Sequence, residues 1–161
     1  MTDIFDIPVV TLKGESTTLS DYRGNVLLIV NVASRCGLSP QYAELEQLQK
    51  SYGPRGFTVL GFPSNQFFQE LGQTEAIAEY CSTTWGVTFP MFDKIKVNGR
   101  NRHPLYAELT KAKDSSGSAG NVRWNFEKFL VLPDGTVRRF RPTVVPSDPA
   151  IVSVIEANLP R

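Results

Sequence analysis

The feature that most constrains this chain is VLLIVNV over Val26–Val32, followed four residues later by a cysteine. The run is β-branched and aliphatic, without regular polar alternation. It reads as a strand covered on both faces, as central parallel strands are. Ser39 and Pro40 supply a capping oxygen and a proline for a first helical position, so a helix is expected to start there. Cys36 then lies between the carboxyl end of a central strand and a helix N-terminus. In open α/β sheets that crevice is where ligands bind. Free N–H groups and the positive end of a helix dipole favour an anion, so the position suits a nucleophilic thiolate open to solvent. The alternative is a small buried hydrophobe, a common fate of free cysteine. Ser34, Arg35 and Gly37 make a poor apolar pocket, which favours the nucleophile.

The 161 residues suit a single domain, 1–161, with a core that needs no staples. Seventeen basic side chains against sixteen acidic ones give a formal charge of +1, with no block of like charge. A nucleic-acid or anionic-membrane partner is therefore not expected. MTDIFDIPVV has no basic region ahead of an apolar core, so no signal peptide is expected there. The apolar runs are too short for membrane insertion. Two cysteines far apart do not make a secreted disulfide framework, which makes the cytoplasm the default address. No cluster of ligand residues suggests a metal, and no cofactor is expected.

In order, residues 4–20 read as a short strand or hairpin with a turn near Lys13-Gly14. Helical spacing of Tyr42, Leu45, Leu48 and Tyr52 gives an amphipathic helix ended by Gly53-Pro54. FTVLGF over 57–62 is the next buried strand, completing a βαβ unit with parallel strands. The loop PSNQFFQELG, 63–72, then falls on the same sheet edge as Cys36. A helix over 74–85 carries Cys81, and another over 103–112 opens at Pro104, with His103 exposed or capping. Residues 113–121, KDSSGSAGN, are a polar loop, flexible or lid-like. Strands over 123–132 and 136–141 flank Pro-Asp-Gly as a hairpin, and Ser147-Asp148-Pro149 begins a terminal helix. The sum is an α/β, thioredoxin-like fold: a central mixed β-sheet flanked by helices on both faces. Cys-x-x-Cys is missing, because Gly37, Leu38 and Ser39 follow Cys36, so chemistry at a single thiolate is favoured over dithiol exchange.

Three stretches together resemble the glutathione peroxidase family, in its order: NVASRCGLSPQY (31–42), GFPSNQF (61–67) and WNFEKFLV (124–131). The resemblance puts the peroxidatic residue at Cys36 and the site's tryptophan and asparagine at Trp124 and Asn125. In the second motif the family has two residues between the phenylalanine that closes Phe-Pro-Cys-Asn-Gln-Phe and Gln-Glu-Pro-Gly, whereas only Phe68 separates Phe67 from Gln69 here. Gln69 is assigned as the catalytic amide, with Gln66 as the fallback; Ser64 and Leu71 stand where the family has cysteine and proline.

The resemblance implies an antioxidant peroxidase that reduces hydrogen peroxide and organic or lipid hydroperoxides, with indole and amide donors around the sulfur. YCSTTWGVTFP (80–90) resembles the resolving segment of the cysteine-containing, thioredoxin-dependent type. This implies a redox-active Cys36–Cys81 disulfide recycled by thioredoxin, with local unwinding of the helix that carries Cys81. Direct reduction by glutathione, or a peroxide sensor that relays oxidation to a partner protein, are the alternatives. The 113–121 loop is too short for the insertion of tetrameric members, so a monomer or weak dimer and an open thiol are implied.

Overall fold

The computed structural model describes residues 3–67, 70 and 73–160. A small ribbon pairs β1 (Val9–Val10) with β2 (Ser16–Thr17), turning through Gly14 at φ 90°. β3 (Val26–Val32) leads through α1 (Gln41–Tyr52) to β4 (Phe57–Pro63). After α2 (Thr74–Tyr80) and α3 (Pro104–Leu109) come β5 (Lys128–Val131), β6 (Val137–Phe140) and α4 (Pro149–Asn158). The main sheet has the order β4-β3-β5-β6. β3 and β4 are parallel from Val26↔Phe57 to Val32↔Pro63, and β5 is antiparallel to both its neighbours. Every residue of β3 and β4 is buried, as expected of strands without alternation.

Both faces are covered. Val26, Leu28, Val30 and Leu130 pack with Tyr42, Leu45 and Leu48 of α1, Ile77 of α2, and Ile151 and Ile155 of α4. Leu27, Ile29, Phe129 and Val131 pack on the other side with Leu105, Tyr106 and Leu109 of α3 and with Phe5, Ile7 and Leu19. This is the mixed, doubly covered α/β sheet that the element order implies.

Four local expectations are corrected. α1 starts at Gln41 with no side-chain cap, and Ser39 Oγ instead donates to Ala33 O at 2.8 Å. Turns closed by Ser39 N to Cys36 O and Gln41 N to Leu38 O, each 2.9 Å, separate Cys36 from the helix. The strand expected over 123–132 begins only at Lys128, because Phe126 turns the chain at φ 66°. The helix expected over 74–85 stops being α-helical at Tyr80 and continues as a π-helical turn, Cys81–Trp85. Finally, arginines hold the polar 113–121 loop. Arg141 Nε donates to Asp114 Oδ2 at 2.8 Å, Arg139 Nη2 to Asn121 O at 3.0 Å, and Arg102 Nη2 to Asn121 Oδ1 at 3.1 Å. His103 caps, its Nδ1 accepting from Leu105 N at 3.1 Å.

Lys128 is fully buried on the α1 side of the sheet, with Nζ donating to Pro142 O at 2.8 Å. Burial brings its pKa down to about 7, against the opposing pull of Glu44 and Glu127. Below that pH the ammonium is charged in folded and unfolded chains alike. Between about 7 and the ordinary lysine value the unfolded chain binds more protons, so stability rises with pH. Above about pH 9 Cys81, whose thiol burial raises to about 11, acts in the opposite sense. Denaturant midpoints at pH 6.5 and 8.5 should therefore show the native protein more stable at 8.5. Lys128→Met should remove most of the difference, while Gln41 Nε2 still donates to Pro142 O at 3.0 Å. Equal pH slopes for the two proteins would be the contrary result.

Candidate active site

Cys36 leaves β3 through Ala33, Ser34 and Arg35 and enters the 36–39 turn. Trp124 Nε1 donates to its Sγ at 3.1 Å, and Leu38 N approaches the same sulfur at 3.4 Å. Ser34 N, two residues ahead, donates to the buried carboxylate of Glu70 at 2.9 Å. The backbone leading to the cysteine is thus held by Glu70. The sulfur is not open to solvent as its sequence position suggests. Cys36 is 5% exposed and belongs to the apolar cluster on the α1 side. It sits behind Trp124, which is 38% exposed and carries the Phe67 ring against it at 5.1 Å between centroids.

Asn125 follows Trp124 and is fully buried, and neither atom of its amide has a hydrogen-bond partner among the described residues. A buried amide without partners costs about 1–3 kcal/mol per unmade bond. Gln69 lies outside the described residues. The fallback, Gln66, is engaged elsewhere: its Oε1 accepts from Val97 N and Asn98 N, and its Nε2 donates to Asn98 O at 2.9 Å. It clamps the 97–98 turn. Among the described residues no group of three or more His, Cys, Asp or Glu side chains could hold a metal ion.

Cys81 begins the π-helical turn and is buried, and neither cysteine is in a disulfide. Burial pushes its thiol up to about 11; the nearby Tyr42 hydroxyl opposes that rise and the Glu70 carboxylate adds to it. The segment is tied down beyond the sulfur. Trp85 stacks near Tyr42 with Nε1 donating to Tyr80 OH at 3.0 Å, and Thr88 N donates to Glu46 at 2.7 Å.

One residue that sequence reasoning passed over is built into the site. Asn31, fully buried in β3, donates from Nδ2 to Trp124 O and accepts at Oδ1 from Glu127 N, both at 3.1 Å. Its own carbonyl accepts from Phe126 N at 2.6 Å. The available signal was one amide in an otherwise aliphatic strand.

A model of the family described as glutathione peroxidase matches residues 4–110. The chain belongs to the glutathione peroxidase family. It is a peroxidase. The thioredoxin/glutathione peroxidase BtuE of Escherichia coli (strain K12) is 52% identical, with 92% of each chain covered. The hydroperoxy fatty acid reductase gpx1 of Synechocystis sp. is 46% identical, over 90% of each. Among solved structures, the crystal structure of Trgpx in apo form matches with a TM-score of 0.74 at 39% identity, covering 99% of this chain and all of that one. No helix among the described residues is long and apolar enough to cross a membrane.

Proposed function

We propose that Cys36 is the peroxidatic residue of a hydroperoxide reductase, that Cys81 resolves it, and that thioredoxin recycles the disulfide. The observation that carries the first part is the 3.1 Å hydrogen bond from Trp124 Nε1 to the Cys36 sulfur. An indole N–H is a donor only, so it stabilises sulfur as an anion and then an oxygen bonded to it. The thiolate attacks one peroxide oxygen; the S–O bond forms, the O–O bond breaks, and the other oxygen leaves as hydroxide or alkoxide and takes up a proton. Sulfur is oxidised to the sulfenic acid and the peroxide is reduced to water or an alcohol. Trp124 and Asn125 are assigned as the donors, with Gln69 proposed as a third. The unpartnered amide of Asn125 supports its assignment.

The resolving step needs the Cys81 thiolate to displace the sulfenic oxygen as water, giving a Cys36–Cys81 disulfide. At rest Cys81 is buried with its thiol held protonated by that burial, so it acts only once the π-helical turn opens. The turn is a non-α segment at a helix end, a feature frequent at functional sites. Cys81→Ser should consume one equivalent of peroxide and stall at the sulfenic acid, with further peroxide carrying it slowly to the sulfinic acid, read as one and then two added oxygens on Cys36 by mass spectrometry. Multiple turnover of that variant with thioredoxin would remove Cys81 from the cycle.

The reductant and substrate range are proposed from the relatives. The Escherichia coli protein bears both thioredoxin and glutathione in its name, and the Synechocystis protein is named for fatty acid hydroperoxides. Side-by-side turnover with the thioredoxin system and with glutathione should favour thioredoxin. A lipid hydroperoxide should be reduced as well as hydrogen peroxide. The proposed setting is a cytoplasmic monomer.

A further inference from the structure

We infer that Asn31 is a positioning residue for the peroxide reaction, holding Trp124 on the Cys36 sulfur; this rests on the proposed role of Cys36 and Trp124. The β3–β5 ladder ends at Val30↔Lys128. One step further β5 has not yet begun, because the chain from Trp124 to Glu127 turns through Phe126 at φ 66°. That left-handed conformation disfavours a bulky side chain and costs about 1–3 kcal/mol, so something must hold it. Asn31 does so with three bonds. Its carbonyl accepts from Phe126 N, its Oδ1 from Glu127 N, and its Nδ2 donates to Trp124 O. A single amide therefore stands in for the missing rungs of the ladder and fixes the backbone on both sides of Asn125.

The chemistry of that choice is specific. On the apolar face shared by Leu27 and Ile29, a polar side chain survives only where its atoms are paired. Asparagine alone among small side chains offers a donor and an acceptor pointing apart, as the Trp124 carbonyl and the Glu127 amide require. The indole reaches Cys36 from a residue whose own carbonyl Asn31 grips, so tightness at Asn31 sets the 3.1 Å contact at the sulfur.

The test is a double-mutant cycle on the first oxidation step, read in single turnover as loss of the Cys36 thiol after a peroxide pulse. Trp124→Phe should slow that step roughly 10²-fold, and Asn31→Ala roughly 10-fold. In the Trp124→Phe background Asn31→Ala should add less than about twofold, since its effect runs through the indole. In a Trp85→Phe background, which isolates Trp124 emission, oxidation of Cys36 should change the emission, and Asn31→Ala should remove most of that change. Asn31→Ser, which keeps one hydroxyl, should recover part of both readouts and replaces Asn31→Ala if the alanine variant does not fold. Full additivity with Trp124→Phe, or an unaltered emission change, overturns the inference. So does failure of both Asn31 variants to fold, which assigns the residue to the framework. If Trp124→Phe itself reacts as fast as the unsubstituted protein, the proposed role of Trp124 fails instead, and the two failures are told apart.

Discussion

Cys36→Ser should reduce peroxide consumption by roughly three orders of magnitude or more, with thioredoxin or glutathione present. A hydroxyl at this position ionises far outside the working pH range and has no oxidised state to pass on. The fold should survive, since the side chain is small and Trp124 Nε1 can donate to the new oxygen. Circular dichroism and a melting temperature within a few degrees of the parent check that part. Residual consumption near the parent rate would mean that the chemistry lies elsewhere, with Cys81 the first candidate. Trp124→Phe in the same assay keeps the nucleophile and removes only its donor, an interaction worth about 2–4 kcal/mol where such donors have been deleted in other enzymes. The pair separates the reacting atom from its electrostatic support.

Arg139→Met should have the largest effect on stability. Arg139 and Glu127 form an ion pair with both side chains fully buried. Arg141 Nη1 also donates to that carboxylate, at 3.0 Å. Arg139 reaches outward to Ala112 O at 3.1 Å and Asn121 O at 3.0 Å. Removing one member of a buried pair costs about 3–5 kcal/mol, because the other charge is left without its main partner. For a chain of this length that is roughly 10 °C or more in melting temperature. The 113–121 loop should become the first site of proteolysis, since Ala112 O before it and Asn121 O at its end lose the Arg139 donor. A variant that melts within about 2 °C of the parent and is cut no faster would show the network to be unimportant.

The strands were readable from residue type alone where burial is uniform. VLLIVNV and FTVLGF need no neighbour to declare themselves, and their parallel pairing follows from the helix between them. The place of Cys36 in the chain just beyond β3 was readable for the same reason, since it is set by the strand. What was not readable depends on contacts across long stretches of sequence. Nothing near Trp124 announces that residues 123–127 leave the extended state, because Asn31, 93 residues away, imposes the turn. The polar 113–121 segment has the composition of a mobile loop and is held by donors from three arginines outside it together with its own turn hydrogen bonds. The burial of Cys36 had no local signal either, since the indole that accompanies it lies 88 residues further on. Ser39 illustrates a milder failure: its oxygen suits a helix cap, but the Ala33 carbonyl in the same turn is a competing partner and wins.

The π-helical turn at Cys81–Trp85 stores slack. A segment wound wider than an α-helix has spare contour, so in the proposed cycle the sulfur would swing outward without a shift in the register of the sheet. On that proposal the fresh and the spent protein would share one scaffold and differ in a single stretch of surface. Whatever reduces the enzyme would meet that altered stretch only after oxidation, and so could tell the two apart by shape before any sulfur is exchanged.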